Sequence, residues 1–138
     1  MASGTPNRFR YNMLHDYLNG KTLKVLALKT TYTFDPDHKF VADIKAPTDY
    51  ELSGTGYARQ TLSSISITQD DTGDRAILDA DDVTFTGINA GSIGFLLIFI
   101  DNGSDATNEI VLIDDTPDLT TNGADVAVVW SALGIYLL

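Results

Sequence analysis

The stretch SIGFLLIFIDNGSDATNEIVLIDD, residues 92–115, reads as an apolar strand, a polar connection and a second apolar strand. Its first limb carries no polar side chain between Gly94 and Asp101. Side chains alternate across a strand, so Phe95, Leu97 and Phe99 point one way and Leu96, Ile98 and Ile100 the other. Both faces need cover, in the interior of a sandwich or beneath a subunit contact. Residues 95–100 are too few to cross a bilayer as a helix.

Toward the C-terminus, Asn102-Gly103 supplies turn chemistry, and residues 109–113 return to a strand pattern. Residues 114–123 are acidic and contain Pro117, so they are expected to form a long polar connection. Residues 124–130 alternate again through Val126 and Val128. The apolar end, residues 135–138, is expected to dock in the core or an interface.

Toward the N-terminus, Val83 and Phe85 share one strand face. Residues 61–68 are expected to form one strand, and Thr72-Gly73 turns the chain into an antiparallel strand at 75–78. β-favouring residues dominate 22–33 until Asp35-Pro36-Asp37 interrupts them. Residues 39–44 read as a short strand or an irregular segment, and 47–56 as a loop whose permissive part is Gly54-Thr55-Gly56. Residues 8–18 fit a short helix with an uneven apolar face, built from Phe9, Met13 or Leu14, and Tyr17 or Leu18. Asn19-Gly20 stops it. A helix this short needs packing against the sheets or a neighbour.

Seven to nine short strands without crossover helices favour an all-β chain. The expected form is an antiparallel β-sandwich or barrel-like domain over residues 22–138, with an N-terminal arm and short helix over 1–21. A chain of 138 residues can bury a real core as one domain. There is no cysteine, which fits a reducing cytoplasm, and residues 1–6 show no signal-peptide pattern.

The formal charge is -10, from nineteen acidic against nine basic side chains. Such a chain should repel phosphates, so neither direct nucleic-acid binding nor membrane binding is expected. The charge is uneven: Arg8, Arg10, Lys21, Lys24 and Lys29 make the first thirty residues basic, while acid gathers at 70–82 and 114–118.

Chemistry-bearing patterns are weak. His15 and His38 are the only histidines and lack metal-ligand spacing. Asp101, Asn102 and Asp105, like Asp70, Asp71 and Asp74, offer oxygens for calcium, yet neither set follows the EF-hand arrangement. Solvated turns explain both better. No G-x-S-x-G elbow or phosphate-binding glycine motif is present. No enzyme activity, cofactor or metal is therefore assigned. Tyr32, Phe34, Tyr50 and Tyr57 fall in or near loops, where exposed rings stack on sugars or fill protein pockets.

Five segments, in order, resemble small virion proteins of tailed bacterial viruses. They are LKVLALKTTYTFDPDHKF (23–40), ELSGTGYARQTL (51–62), DADDVTFTGINAG (79–91), DNGSDATNEIVLIDD (101–115) and TTNGADVAVVWSALGIYLL (120–138). The resemblance implies a non-enzymatic particle component, a capsid decoration or cement protein first and a head-fibre or tail-associated adaptor second. It also implies the major capsid protein as partner, the outer capsid surface as location, and homo-oligomers such as trimers. Arg8, Phe9, Arg10, Tyr11, Leu14 and Tyr17 are then the candidate interface, because Arg and aromatic side chains carry much of the energy in such contacts.

Overall fold

Strand β6 (Ser92–Ile100) lies between β1 (Leu23–Lys29) and β7 (Ile110–Thr120) in a four-stranded antiparallel sheet. Its order is β2-β1-β6-β7, with β2 being Gln60–Thr61. The computed structural model describes residues 3–138. They form a mostly β structure of nine strands in three sheets, with one α-helix near the N-terminus.

Both rows of β6 are covered, as the unbroken apolar run requires. On one face, Leu97 and Phe99 join Leu26 and Leu28 of β1 in a buried cluster with Tyr32, Val41 and Ile44. Val41 and Ile44 come from a 3₁₀ turn, Val41–Ile44. On the other face, Leu96, Ile98 and Ile100 are buried alongside Val25 and Ala27. Each such large side chain adds roughly 1.5–3 kcal/mol of hydrophobic stabilisation. A strand spent this way inside the chain offers nothing to a partner.

The chain divides into two compact units. Unit 2, Thr22–Thr61 with Val83–Val128, holds the four-stranded sheet and a two-stranded ribbon. That ribbon pairs β5 (Val83–Phe85) with β8 (Val126–Val128). Unit 1 comprises the described residues up to Lys21, Leu62–Asp82 and Val129–Leu138. Its sheet runs β3 (Ser66–Asp70), β4 (Arg75–Asp79), β9 (Tyr136–Leu137), and helix α1 (Asn7–Leu18) packs on β3 and β4.

Unit 1 follows simple local rules. The Asp70 carboxylate accepts the Thr72 and Gly73 N–H groups at 3.1 and 3.0 Å and so builds the β3–β4 turn. Helix α1 begins after Pro6, whose carbonyl accepts the Phe9 and Arg10 amides, and Gly20 (φ +74°) lets the chain leave it. The Asn7 side chain reaches Asp71 and Asp74 at 3.3 and 3.1 Å, and Arg10 donates to the Asp74 carbonyl. The apolar C-terminal segment docks on β4, where Ala76 and Leu138 exchange backbone bonds of 3.1 and 2.9 Å.

Two sequence expectations need correction, and one open alternative is decided. Residues 61–68 are not one strand. Ser64 takes φ +52°, and the chain passes from β2 in unit 2 to β3 in unit 1. Residues 39–44 take the irregular form of the two expected, with a single bridge, Phe40 with Glu109, before the 3₁₀ turn. Residues 114–120 continue β7 instead of forming a loop. Proline is tolerated there because β7 is an edge strand, and the pairing slips around Pro117 between Ile93↔Leu119 and Phe95↔Asp115. Thr116 Oγ1 donates to the Gly94 carbonyl at 3.2 Å within that irregular stretch.

Candidate functional site

The large apolar side chains that stay exposed are concentrated in unit 1, although it is the smaller unit. Phe9, Met13, Tyr17, Ile65, Val129, Leu133 and Leu137 lie there, while unit 2 contributes Phe34, Phe40 and Leu119. On α1 the exposed residues fall at i, i+4 and i+8: Phe9 is 57%, Met13 42% and Tyr17 47% accessible. That spacing makes one outward row. Leu14 and Leu18, one residue further round, form the buried row against the sheet.

The six candidate interface residues therefore divide. Phe9 and Tyr17 sit on the outward row, and exposed Arg8 places its guanidinium 5.1 Å from the Tyr11 ring centre. Tyr11 is half-buried and stacks on His15 with ring centres 5.2 Å apart. Arg10 is occupied by the Asp74 carbonyl and ties the helix to the hairpin. Leu14 is buried, so it belongs to the unit 1 core and is removed from the contact surface. Lys21 lies 3.7 Å from the Tyr17 ring centre and places a cation at the end of the row.

Of residues 129–137, the sequence pattern points only to the apolar end, 135–138, as docking in the core or an interface, and leaves Val129 and Leu133 unmarked. Val129 and Leu133 are 73% and 56% accessible, and Leu137 is 40% accessible at the sheet edge. The signal was present in the apolar character of the C-terminal segment. Alternation alone assigns such residues to a core, and it cannot tell which of them the chain leaves uncovered. Trp130 is held by its N–H and indole N–H, which donate to the Asp82 carboxylate and the Asp81 carbonyl, each at 3.0 Å.

Comparison with known families, characterised proteins and solved structures returns no significant match. The assignment therefore rests on the residues themselves.

Unit 2 holds a buried polar cluster around Glu51. Arg59, Tyr57 and Lys45 donate to its carboxylate at 2.6–2.9 Å. Burial pushes the Glu51 carboxyl up, but hydrogen bonds from Arg59, Tyr57 and Lys45 prevail and bring it down to about 2. Tyr57 is pushed the opposite way, by burial first and then by the Glu51 carboxylate. With every donor and acceptor engaged, this cluster braces loops. It lacks the unpaired base or nucleophile that chemistry requires.

The acidic loops are likewise committed to turns. Asp101 is held below the usual carboxylate range by the Gly103 amide and then by Lys24, whose Nζ is 3.1 Å away. Asp105 is lowered by the Arg59 guanidinium. Among the described residues no three His, Cys, Asp or Glu side chains converge on a metal position. His15 Nδ1 lies 3.1 Å from Asp16, and His38 Nδ1 lies 2.9 Å from the Tyr32 hydroxyl. Among the described residues no helix is long and apolar enough to cross a membrane.

Proposed function

We propose that this chain is a structural protein of a tailed bacterial virus, a cement protein that docks on the major capsid protein at the outer surface of the head. The observation that carries the reading is the outward row Phe9–Met13–Tyr17 with Arg8 beside it, on a helix whose neighbouring row, Leu14 and Leu18, is buried. Aromatic and Arg side chains concentrated on one surface are what a protein contact uses. The ordered sequence resemblance supplies the kind of partner.

The mechanism is mechanical. Unit 1 supplies the contact residues, including Val129 and Leu133, and many copies, trimers among the expected forms, act together on a repeating lattice. Individually weak contacts then add by multivalency. A small sandwich- or barrel-like β scaffold suits that task, because it presents a helix and loops from a packed sheet. The acidic surface also fits a protein that neither packages nucleic acid nor binds anionic membranes.

Cryo-electron microscopy of the intact particle tests the proposal. Density for this chain on the capsid lattice, with α1 against the major capsid protein, is the expected result. Its absence from the head overturns the cement assignment, and density on the tail instead establishes the adaptor reading.

A further inference from the structure

The geometry points to a second binding site, built wholly within unit 2, for a neutral saccharide. The site is a depression of about 420 Å³, in which Phe34 and Pro36 meet Pro47, Thr48 and Tyr50. That volume falls in the ~300–1,000 Å³ range of small-molecule sites.

An exposed phenylalanine alone would need no explanation. Phe34 differs because it is 58% accessible, borders a concavity, and sits on a loop fixed from below. The Asp37 amide donates to the Asp35 carboxylate at 2.9 Å, and the His38 amide donates to the Asp35 carbonyl at 3.1 Å. The His38 ring is pinned between the Tyr32 hydroxyl, 2.9 Å from Nδ1, and the Asp35 carboxylate, 3.7 Å from Nε2. Tyr50 is equally fixed. Its ring meets Tyr32 edge-on at 5.4 Å, and its backbone bonds Ile44 and Lys29 at 3.0 and 2.8 Å. The Tyr50 ring is thus presented with little conformational freedom left to lose, which favours weak ligands, and Phe34 adds an exposed ring from a hydrogen-bonded loop.

The polar lining selects the ligand class. Asp35, Asp43 and the hydroxyls of Thr33 and Thr48 offer mainly acceptors around the rings. A pyranose has an apolar C–H face for a ring and hydroxyl donors for carboxylates. An anion would face Asp35 and Asp43, with His38 as the sole basic residue in the lining. Asp35 already accepts the Asp37 amide and Asp43 the Lys39 and Phe40 amides, and a purely apolar ligand would cover their remaining acceptor sites without supplying a donor. This site stands independently of the capsid reading, and its failure would leave that reading untouched.

The test is an NMR titration of the full chain with the methyl glycosides of glucose, galactose, mannose and N-acetylglucosamine, and with glucose 6-phosphate. At least one neutral glycoside should shift the amide resonances of Phe34, His38 and Tyr50, with millimolar affinity. Phe34→Ala should weaken that binding roughly tenfold. Tyr50→Phe, which keeps the ring and removes only the hydroxyl, should keep the fold and weaken binding by about threefold. Glucose 6-phosphate should bind less well than the glucose glycoside. The inference is overturned if none of the four neutral sugars perturbs these residues, if Phe34→Ala leaves the affinity unchanged, or if the phosphate ester binds equally well.

Discussion

Arg59 grips Glu51 through two parallel hydrogen bonds, Nε to Oε2 and Nη2 to Oε1, both 2.9 Å long. The same guanidinium holds Asp105 from its other edge, at 2.7 and 3.1 Å, and lies 5.2 Å from the Phe99 ring centre. One side chain therefore clips two loops of unit 2 to its sheet. Arg59→Ala leaves the buried Glu51 carboxylate short of its main partner and should cost about 3–5 kcal/mol. Arg59→Lys should recover little, because an ammonium cannot reproduce the planar fork. Urea denaturation reads both changes. A loss below about 1 kcal/mol for Arg59→Ala would show the clip to be incidental.

Acid should unfold the protein partly through the same carboxylate. Glu51 is held at about 2, below its ordinary 4.5, so its folded form binds fewer protons than the unfolded chain across that interval. Its contribution is complete above pH 4.5 and is lost as the pH falls toward 2. The loss is on the order of 3 kcal/mol. Asp105, also lowered, steepens the slope in the same direction. Urea midpoints measured at about pH 5 and about pH 3 should differ clearly in the wild type and less in Glu51→Gln. Equal differences would assign the acid sensitivity elsewhere.

The scaffold was legible where one signal dominated. The run 95–100 announced a strand covered on both faces, and β6 has that burial. The 70–74 turn joined antiparallel strands because Asp70 can cap it locally. Pro117 misled the reading of 114–120, since sequence alone cannot show that β7 occupies an edge. The helix was ambiguous for a physical reason. Met13 and Leu14, like Tyr17 and Leu18, are adjacent apolar residues, and only packing decides which row turns inward. Glu51, Arg59 and Asp105 were unreadable as a cluster, because residues 46 positions apart in sequence meet only through the sheet.

Gly94 shows why a small residue interrupts the most apolar strand. A Cβ there would lie 2.6 Å from Thr30 Cα and 3.1 Å from the Lys29 carbonyl oxygen, both backbone atoms. Neither can yield without moving β1, so Gly94→Ala should destabilise by about 1–3 kcal/mol and lower Tm by several degrees. An unchanged melting temperature would mean that the β1–β6 irregularity at Leu28/Lys29 absorbs the methyl group.

The two rows of α1 make separable predictions. Leu14 and Leu18 are 7% and 6% accessible, so Leu14→Ala should lose about 2–5 kcal/mol through the cavity it leaves. Phe9 and Met13 lie on the outward row, and the double change Phe9→Ser with Met13→Ser should alter stability by no more than about 0.5 kcal/mol per site. If the outward row is the capsid anchor, particles assembled with the double variant should carry far fewer copies of this chain, counted by quantitative mass spectrometry. Normal occupancy with unchanged stability would remove the helix from the interface and direct attention to Val129 and Leu133, the remaining strongly exposed apolar residues of unit 1. Reduced occupancy accompanied by a lower Tm would trace the defect to folding instead, which is why both measurements belong to the same experiment.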